Sequence, residues 1–290
     1  MIWTDKLIED IARRRAVLFF GAGASMSSVG KNGTTRPKSW VQFLTGALDR
    51  LESKDKKITK DLIKQNDLLT ACEVIRRVLG DDFIELVKNE FQTPGYGHTK
   101  IHELLWQLDL RITITPNFDN IYDSYVSSAS QSTVTIKNYT HDDVADAIRR
   151  NAPVLIKSHG SVTEPNNLIF TRVDYAKARS SHRDFYELLD SLLRTHTFIF
   201  IGCGLDDPDI RLLLEDYCFR HKHAQKHYFV LPSKRYSPLV KQVYEDSLKL
   251  KILEYKYSET TKHANLLEEL ELLVKGVNQK RIEISTSQQW

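Results

Sequence analysis

Six short apolar runs punctuate the chain: AVLFFG at 16–21, RITIT at 111–115, PVLIKSHG at 153–160, TFIFIG at 197–202, HYFVL at 227–231 and LKILEY at 250–255. Each is too short for a helix, and most lack polar alternation, which is the pattern of strands covered on both faces. Apolar residues at helical spacing fill the intervals at 117–125, 141–150, 182–195, 207–221, 238–247 and 262–275. Alternation of this kind predicts an α/β fold, a Rossmann-like parallel sheet with helices on both faces. Right-handed crossovers would align all the strand C-termini along one edge, where ligands of open sheets bind.

One interval breaks the rhythm. Residues 40–108 contain SWVQFLTGALDRL, KKITKDLIKQN, LLTACEVIRRVLG and DDFIELVKNEF, all helical in spacing and none strand-like. They are expected to form a helical insertion packed over the sheet edge, within a single domain spanning 1–290. The tail from 277 to 290, which includes KRIEISTSQQW, is expected as a short edge strand or a partner-contacting end.

Composition narrows the class. With 41% hydrophobic and 27% charged residues, the 290-residue chain can bury a large core. A formal charge of +3 gives no concentrated basic face, so no direct nucleic-acid site is expected. The N-terminus MIWTDKLIEDIARRR carries charge throughout, unlike a signal peptide, and no run approaches the ~18 apolar residues of a membrane span. Cys72, Cys203 and Cys218 form no CxxC pair, so no structural zinc site is expected, and a cytoplasmic location fits.

The chemistry gathers at strand ends. The first strand turns through Gly21-Ala22-Gly23 toward Ser25; entering a helix there, it would present backbone N–H groups to an anion. Neither the Walker loop GxxxxGK[ST] nor the GxGxxG dinucleotide fingerprint is present, since Met26 stands where the third glycine would fall. The second strand runs into Pro116-Asn117-Phe118-Asp119, the third into Lys157-Ser158-His159-Gly160, and the fourth into Gly202-Cys203-Gly204-Leu205-Asp206-Asp207-Pro208-Asp209. Glycines, an amide, a carboxylate and a histidine delivered to one edge point to a pocket rather than to turn chemistry alone. Of the ten histidines, only His159 stands at a strand end followed by glycine. Asp207 and Asp209 read as caps of the following helix, ahead of any metal role, and Cys203 reads as a small residue in a tight loop rather than a nucleophile.

As a set, GAGAS, TPNFD, the His159-Gly160 pair and GCGLDDPDI resemble the nucleotide-binding core of sirtuins. The sequence is most similar to the bacterial sirtuin-like domains that act as NAD hydrolases in antiphage defence. Pro37-Lys38-Ser39-Trp40, the DPD triplet, THTFIF and the later Tyr257-Ser258 and His263-Ala264-Asn265 favour that branch. Protein-deacylating sirtuins carry a four-cysteine zinc module between the His-Gly pair and the later strand. Here residues 161–196 contain no cysteine, which argues against lysine deacylation and leaves NAD binding untouched.

The resemblance implies NAD as substrate, no metal, and cleavage of the nicotinamide–ribose bond. It implies that Gly21, Ala22, Gly23 and Ser25 hold the pyrophosphate, with Thr115 also contacting the nucleotide. Asn117 would bond the ribose or orient water, Asp119 would meet the nicotinamide carboxamide, and His159 would do acid–base work. Gly202 and Gly204 would let backbone pass the adenine ribose, and His263 would face the adenosine side or simply start a helix. Such effectors imply control by assembly, so a homo-oligomer and a separate HerA-type ATPase partner are expected. The alternatives are an NAD- or ADP-ribose-binding sensor without turnover, and a zinc-free deacylase, for which the sequence offers no acyl-lysine groove.

Overall fold

The computed structural model describes residues 2–150, 152–205 and 207–287; the side chain of Asp209 falls outside the described set, as does all of Asp206. The cap expected of Asp209, and the part of Asp206 in the loop, therefore lie outside the described residues. Seven strands form one parallel sheet in the order β3-β4-β2-β1-β5-β6-β7. They are β1 (Ala16–Phe20), β2 (Ile112–Thr115), β3 (Thr135–Asn138), β4 (Val154–Lys157), β5 (Thr197–Ile201), β6 (His227–Pro232) and β7 (Leu250–Tyr255). Six of them answer the apolar runs. β1, β2 and β4 are buried at every position, as expected of strands covered on both faces.

The strand that the apolar-run pattern misses is β3. Its Thr135-Ile136-Lys137-Asn138 is only partly buried because it is the sheet's edge, and Thr, Lys and Asn there mask the strand signal.

Thirteen helices surround the sheet among the described residues. They are α1 (Asp5–Ala12), α2 (Trp40–Ala47), α3 (Ser53–Lys64), α4 (Leu68–Leu79), α5 (Asp82–Phe91), α6 (Lys100–Gln107), α7 (Ile121–Ala129), α8 (Val144–Arg149), α9 (Arg172–Ser181), α10 (Arg183–Thr195), α11 (Pro208–Arg220), α12 (Pro238–Ser247) and α13 (Ala264–Ser287). α9 is an addition to the expected set. Thr171 and Asp174 start it with a reciprocal capping box, and only Tyr175 and Ala178 are buried from it. The tail through Ser287 is not an edge strand. It continues α13, which lays Leu270, Leu273, Val277 and Ile284 against the core.

Two cores sandwich the sheet and a third stands apart. One face packs Leu18, Phe20 and Ile199 against α1, α6, α7 and α13. The other packs Phe19, Ile114, Ile156 and Phe200 against α8, α9, α10 and α11. Each fully buried Leu, Ile or Phe contributes roughly 1.5–3 kcal/mol. Helices α2 to α5 build the third core around Phe43, Leu44, Ile75, Phe83 and Val87, joined by Phe170 and Phe118 from the sheet-bearing part. Of the segment expected as an insertion, α6 belongs to the first of these cores and only α2 to α5 form the separate one.

The chain leaves β1 toward β2 on one side and leaves β5 toward β6 on the other. Strand order therefore reverses between β1 and β5, and the crevice for a ligand opens above their C-terminal ends.

Candidate functional site

The two glycine loops above β1 and β5 are locked to each other. The Gly21 N–H donates to the Ile201 carbonyl at 3.0 Å and the Gly23 N–H to the Gly202 carbonyl at 2.9 Å. A Cβ at Gly23 would stand 2.9 Å from the Cα and the carbonyl oxygen of Gly202. Gly202 adopts φ +66°, and a Cβ there would stand 2.9 Å from the Ala24 nitrogen. These glycines are demanded by backbone meeting backbone.

No α-helix follows the first loop. A short 3₁₀ turn, Ser25–Ser27, takes the place of the expected helix start. Its amides are consumed internally: Ala24 donates to Gly21, and both Ser25 and Met26 donate to Ala22. Of the amides from Gly21 to Met26, only that of exposed Ala22 lacks a protein acceptor among the described residues. An anion would therefore meet far fewer free donors here than a helix N-terminus offers.

The β2 and β4 ends are built from side chains. Ser25, Thr115, Asn117, Asp119 and His159 are all buried, none more than 8% exposed. The Asn117 side-chain amide donates to Ser25 Oγ at 3.1 Å, and Ser25 Oγ donates to Asp119 Oδ2 at 2.9 Å. Thr115 Oγ1 accepts from the Asn117 N–H, and Asp119 Oδ1 accepts from the Ile121 N–H, which starts α7 four residues later than the apolar spacing suggests. Both Asp119 oxygens thus already carry a protein hydrogen bond, leaving only their remaining lone pairs for a ligand. Between Asn117 and Asp119 the Phe118 ring turns the other way, into the third core, 4.4 Å from the Phe170 ring centre and 5.9 Å from that of Phe91.

Two residues join this group that sequence reasoning did not assign to it. Asp207 does cap α11 as expected, through Oδ1 to the Ile210 N–H. Its Oδ2 also lies 3.6 Å from His159 Nε2 and accepts from the Tyr175 hydroxyl at 3.3 Å. The Tyr175 ring packs edge-on against His159, centre to centre 5.3 Å. The DDPD motif could have suggested Asp207, but its capping role accounts for it fully in sequence; Tyr175, on the unanticipated helix α9, gave no signal. Gly160 follows His159 at φ +83°, and a Cβ there would stand 2.6 Å from the Asn167 carbonyl oxygen.

The remaining expected residues lie elsewhere or do other work. His263 stands beyond β7, at the opposite edge of the sheet from β2 and β4, exposed and 2.6 Å from the Tyr255 hydroxyl. Gly204 is exposed on the β5 loop. Cys203 turns its Sγ toward the Ile201 and Phe19 carbonyls, and burial raises its thiol well above the ordinary range, so it is no thiolate nucleophile. The three cysteines are free. Among the described residues, no group of three or more His, Cys, Asp or Glu side chains could hold a metal ion, and no helix is long and apolar enough to cross a membrane.

Beside the site, a cavity of about 410 Å³ opens between α7, β3 and the loop after His159, lined among others by Asn120, Asp123, Asn138 and Ser161. It contains neither Asn117 nor His159.

The sequence matches the model of the SIR2-like domain over residues 111–255, half of the chain. The NAD(+) hydrolase ThsA of Enterococcus faecium is 26% identical over 229 residues, covering 77% of this chain and 44% of that protein. The NAD(+) hydrolase ThsA of Bacillus cereus (strain MSX-D12) is 23% identical over 237 residues, with 78% and 44% covered. Defense-associated sirtuin 2 of Bacillus subtilis is 24% identical over 212 residues, covering 72% of this chain and 20% of that protein. The chain thus spans less than half the length of these relatives. The matched region runs from β2 through β7 and takes in Asn117, Asp119, His159 and Asp207, and with it the chain belongs to the SIR2-like domain family.

Proposed function

We propose that this chain is an NAD glycohydrolase, cleaving NAD with water to nicotinamide, ADP-ribose and a proton, as an NAD-depleting effector in antiphage defence. The observation that carries the reading is the buried Asn117–Ser25–Asp119 chain beside the His159–Asp207 pair, at the strand ends where an α/β sheet binds nucleotides. The names of the relatives support the same activity.

Nicotinamide leaves as a neutral molecule from a cationic ring, so little general acid is needed. The barrier is lowered by positioning and by stabilising the oxocarbenium ion. Asn117, its amide fixed by Ser25, holds the nicotinamide ribose or the attacking water. His159 takes a proton from water or a ribose hydroxyl, and the Asp207 carboxylate 3.6 Å away stabilises the imidazolium that results. Asp119 fixes Ser25 with one oxygen and uses a spare lone pair on the carboxamide. Ala22 offers its free N–H to the pyrophosphate, while Gly21, Gly23, Gly202 and Gly204 shape the crevice that receives it. Thr115 fixes Asn117, and His263 stands apart from the reaction centre.

Assembly as a homo-oligomer, a separate HerA-type ATPase as regulator, and a cytoplasmic setting complete the proposal on the strength of the family resemblance.

The test is release of nicotinamide from NAD, by wild type and by Asn117→Ala and His159→Ala, with and without the candidate ATPase. The expected result is release that each substitution lowers by about a hundredfold or more. NAD binding without release under any condition would replace the enzyme with a nucleotide sensor.

A further inference from the structure

Lys157 is the last residue of β4 and is completely buried, which is rare for a lysine. Its Nζ donates to the main-chain carbonyl of Asp119 and stands 3.1 Å from each carboxylate oxygen of Asp123, on α7. The ammonium thus has one backbone hydrogen bond and one charged partner. Asp123 is itself 9% exposed, and burial pushes its carboxyl up against the opposing pull of the Lys157 ammonium.

Stability alone does not ask for such a pair. Two charges taken out of water recover their desolvation cost only with full pairing, and apolar residues of similar volume are often as stable or more so. The pair does, however, provide a fixed donor aimed at one backbone atom. That atom belongs to Asp119, whose carboxylate receives Ser25 Oγ, which receives the Asn117 amide. A path of three hydrogen bonds runs from the end of β4 to the side chain proposed to meet the substrate. Other anchors hold the neighbouring residues of this turn: the Asn117 N–H donates to Thr115 Oγ1, the Val162 N–H to the Phe118 carbonyl and Ser161 Oγ to Asn120 Oδ1, while the Phe118 ring packs in the third core; Lys157 is the side chain that donates to the Asp119 carbonyl.

We propose that Lys157 is a positioning residue for the reaction centre: held by Asp123, it fixes the Asp119 carbonyl and thereby aims Asn117. For its effect on turnover the inference rests on the hydrolase reading above; for its effect on Asn117 it does not.

The experiment compares wild type with Lys157→Met and with Lys157→Met/Asp123→Leu, measuring thermal unfolding, kcat and KM for NAD, and the Asn117 side-chain NH₂ signals in ¹⁵N-asparagine-labelled protein, assigned by their loss in Asn117→Ala. Lys157→Met leaves a buried carboxylate alone and loses both stability and turnover. In the double variant the unpaired charge is gone and the unfolding temperature recovers. kcat stays at least about tenfold down, with KM changed far less, and the Asn117 signals remain displaced from their wild-type positions. Recovery of kcat along with stability, or Asn117 signals at wild-type positions in the double variant, would overturn the proposal. Should wild type release no nicotinamide, the hydrolase reading fails, and the Asn117 signals still decide the role of Lys157. Should the double variant fail to fold, Lys157→Met/Asp123→Asn serves: it also removes both charges and the donor to the Asp119 carbonyl, so displaced Asn117 signals are expected and signals at wild-type positions would overturn the proposal.

Discussion

The two halves of the sheet deliver different things to the same crevice. On the β1–β5 side the site is made of backbone: Gly21, Gly23 and Gly202 interlock, and their amides and carbonyls serve each other. On the β2–β4 side it is made of side chains: Asn117 and Asp119 after β2 and His159 after β4, which Ser25 from the β1 loop and Asp207 from the β5 loop reach across to meet. The glycine side sets the shape of the crevice with almost no free valence. The side-chain side holds the groups that can act on a substrate. A glycine motif beside a strand is therefore no measure of how much of a ligand the glycines themselves touch.

The largest effect of a single substitution is expected at the glycine crossing. Gly202→Val puts a branched Cβ against the Ala24 nitrogen at a positive φ, and is expected to cost about 3 kcal/mol or more, visible as loss of the folded transition in calorimetry. Gly33, at φ +77° with open space around its Cβ position, serves as the control, where valine should cost much less.

Acid should weaken both halves through one buried histidine each. His102 lies on α6 near the Tyr122 ring of α7, His227 lies at the start of β6, and burial pushes each down to about 4 from an ordinary 6.5. Each accepts a backbone N–H at Nδ1, from Thr99 and Phe198 respectively, and leaves Nε2 without a partner among the described residues. Their folded-state values lie below the unfolded ones, so the unfolded chain takes up protons first. Stability is full above about pH 6.5 and falls as the pH drops toward 4, by up to about 3 kcal/mol per histidine. Denaturant unfolding between pH 7 and 4.5 checks this, and His227→Gln should flatten the slope.

Smaller effects belong to single contacts. Asp207→Asn keeps the oxygen that caps α11 but removes the charge facing His159. It should lower kcat about tenfold, equivalent to about 1.4 kcal/mol, with little change in unfolding temperature. The smallest effect is expected at Cys203, whose buried thiol faces backbone carbonyls: Cys203→Ala should leave turnover within about twofold.

Much of this was legible in residue pattern. Six of the seven strands stand in the sequence as apolar runs, because buried parallel strands need no alternation. β3 was hidden because an edge strand can carry Thr, Lys and Asn. Asn117, Asp119 and His159 could be picked out by their place at strand ends, and the structure does bring them to one edge. Lys157 stood in the same motif as His159, but a lysine next to a histidine says nothing of burial until the Asp123 partner on another element is placed. Tyr175 was out of reach for the same reason, since its contact with Asp207 spans separate elements. The helix expected after Gly23 is absent for a local reason: Ala24 and Ser25 enter a 3₁₀ turn instead, whose amides bond to Gly21 and Ala22 and so are not free for a phosphate.

Under the proposed function, the chemistry lies at the β2 and β4 ends of the crevice and the glycines frame it. A crystal structure of His159→Ala with NAD bound tests this most directly. The nicotinamide ribose is expected within hydrogen-bond distance of the Asn117 side chain, with the pyrophosphate over the β1–β5 loops and few backbone donors to it beyond Ala22. NAD lying wholly over β5 to β7, with its nicotinamide ribose remote from Asn117, would contradict it.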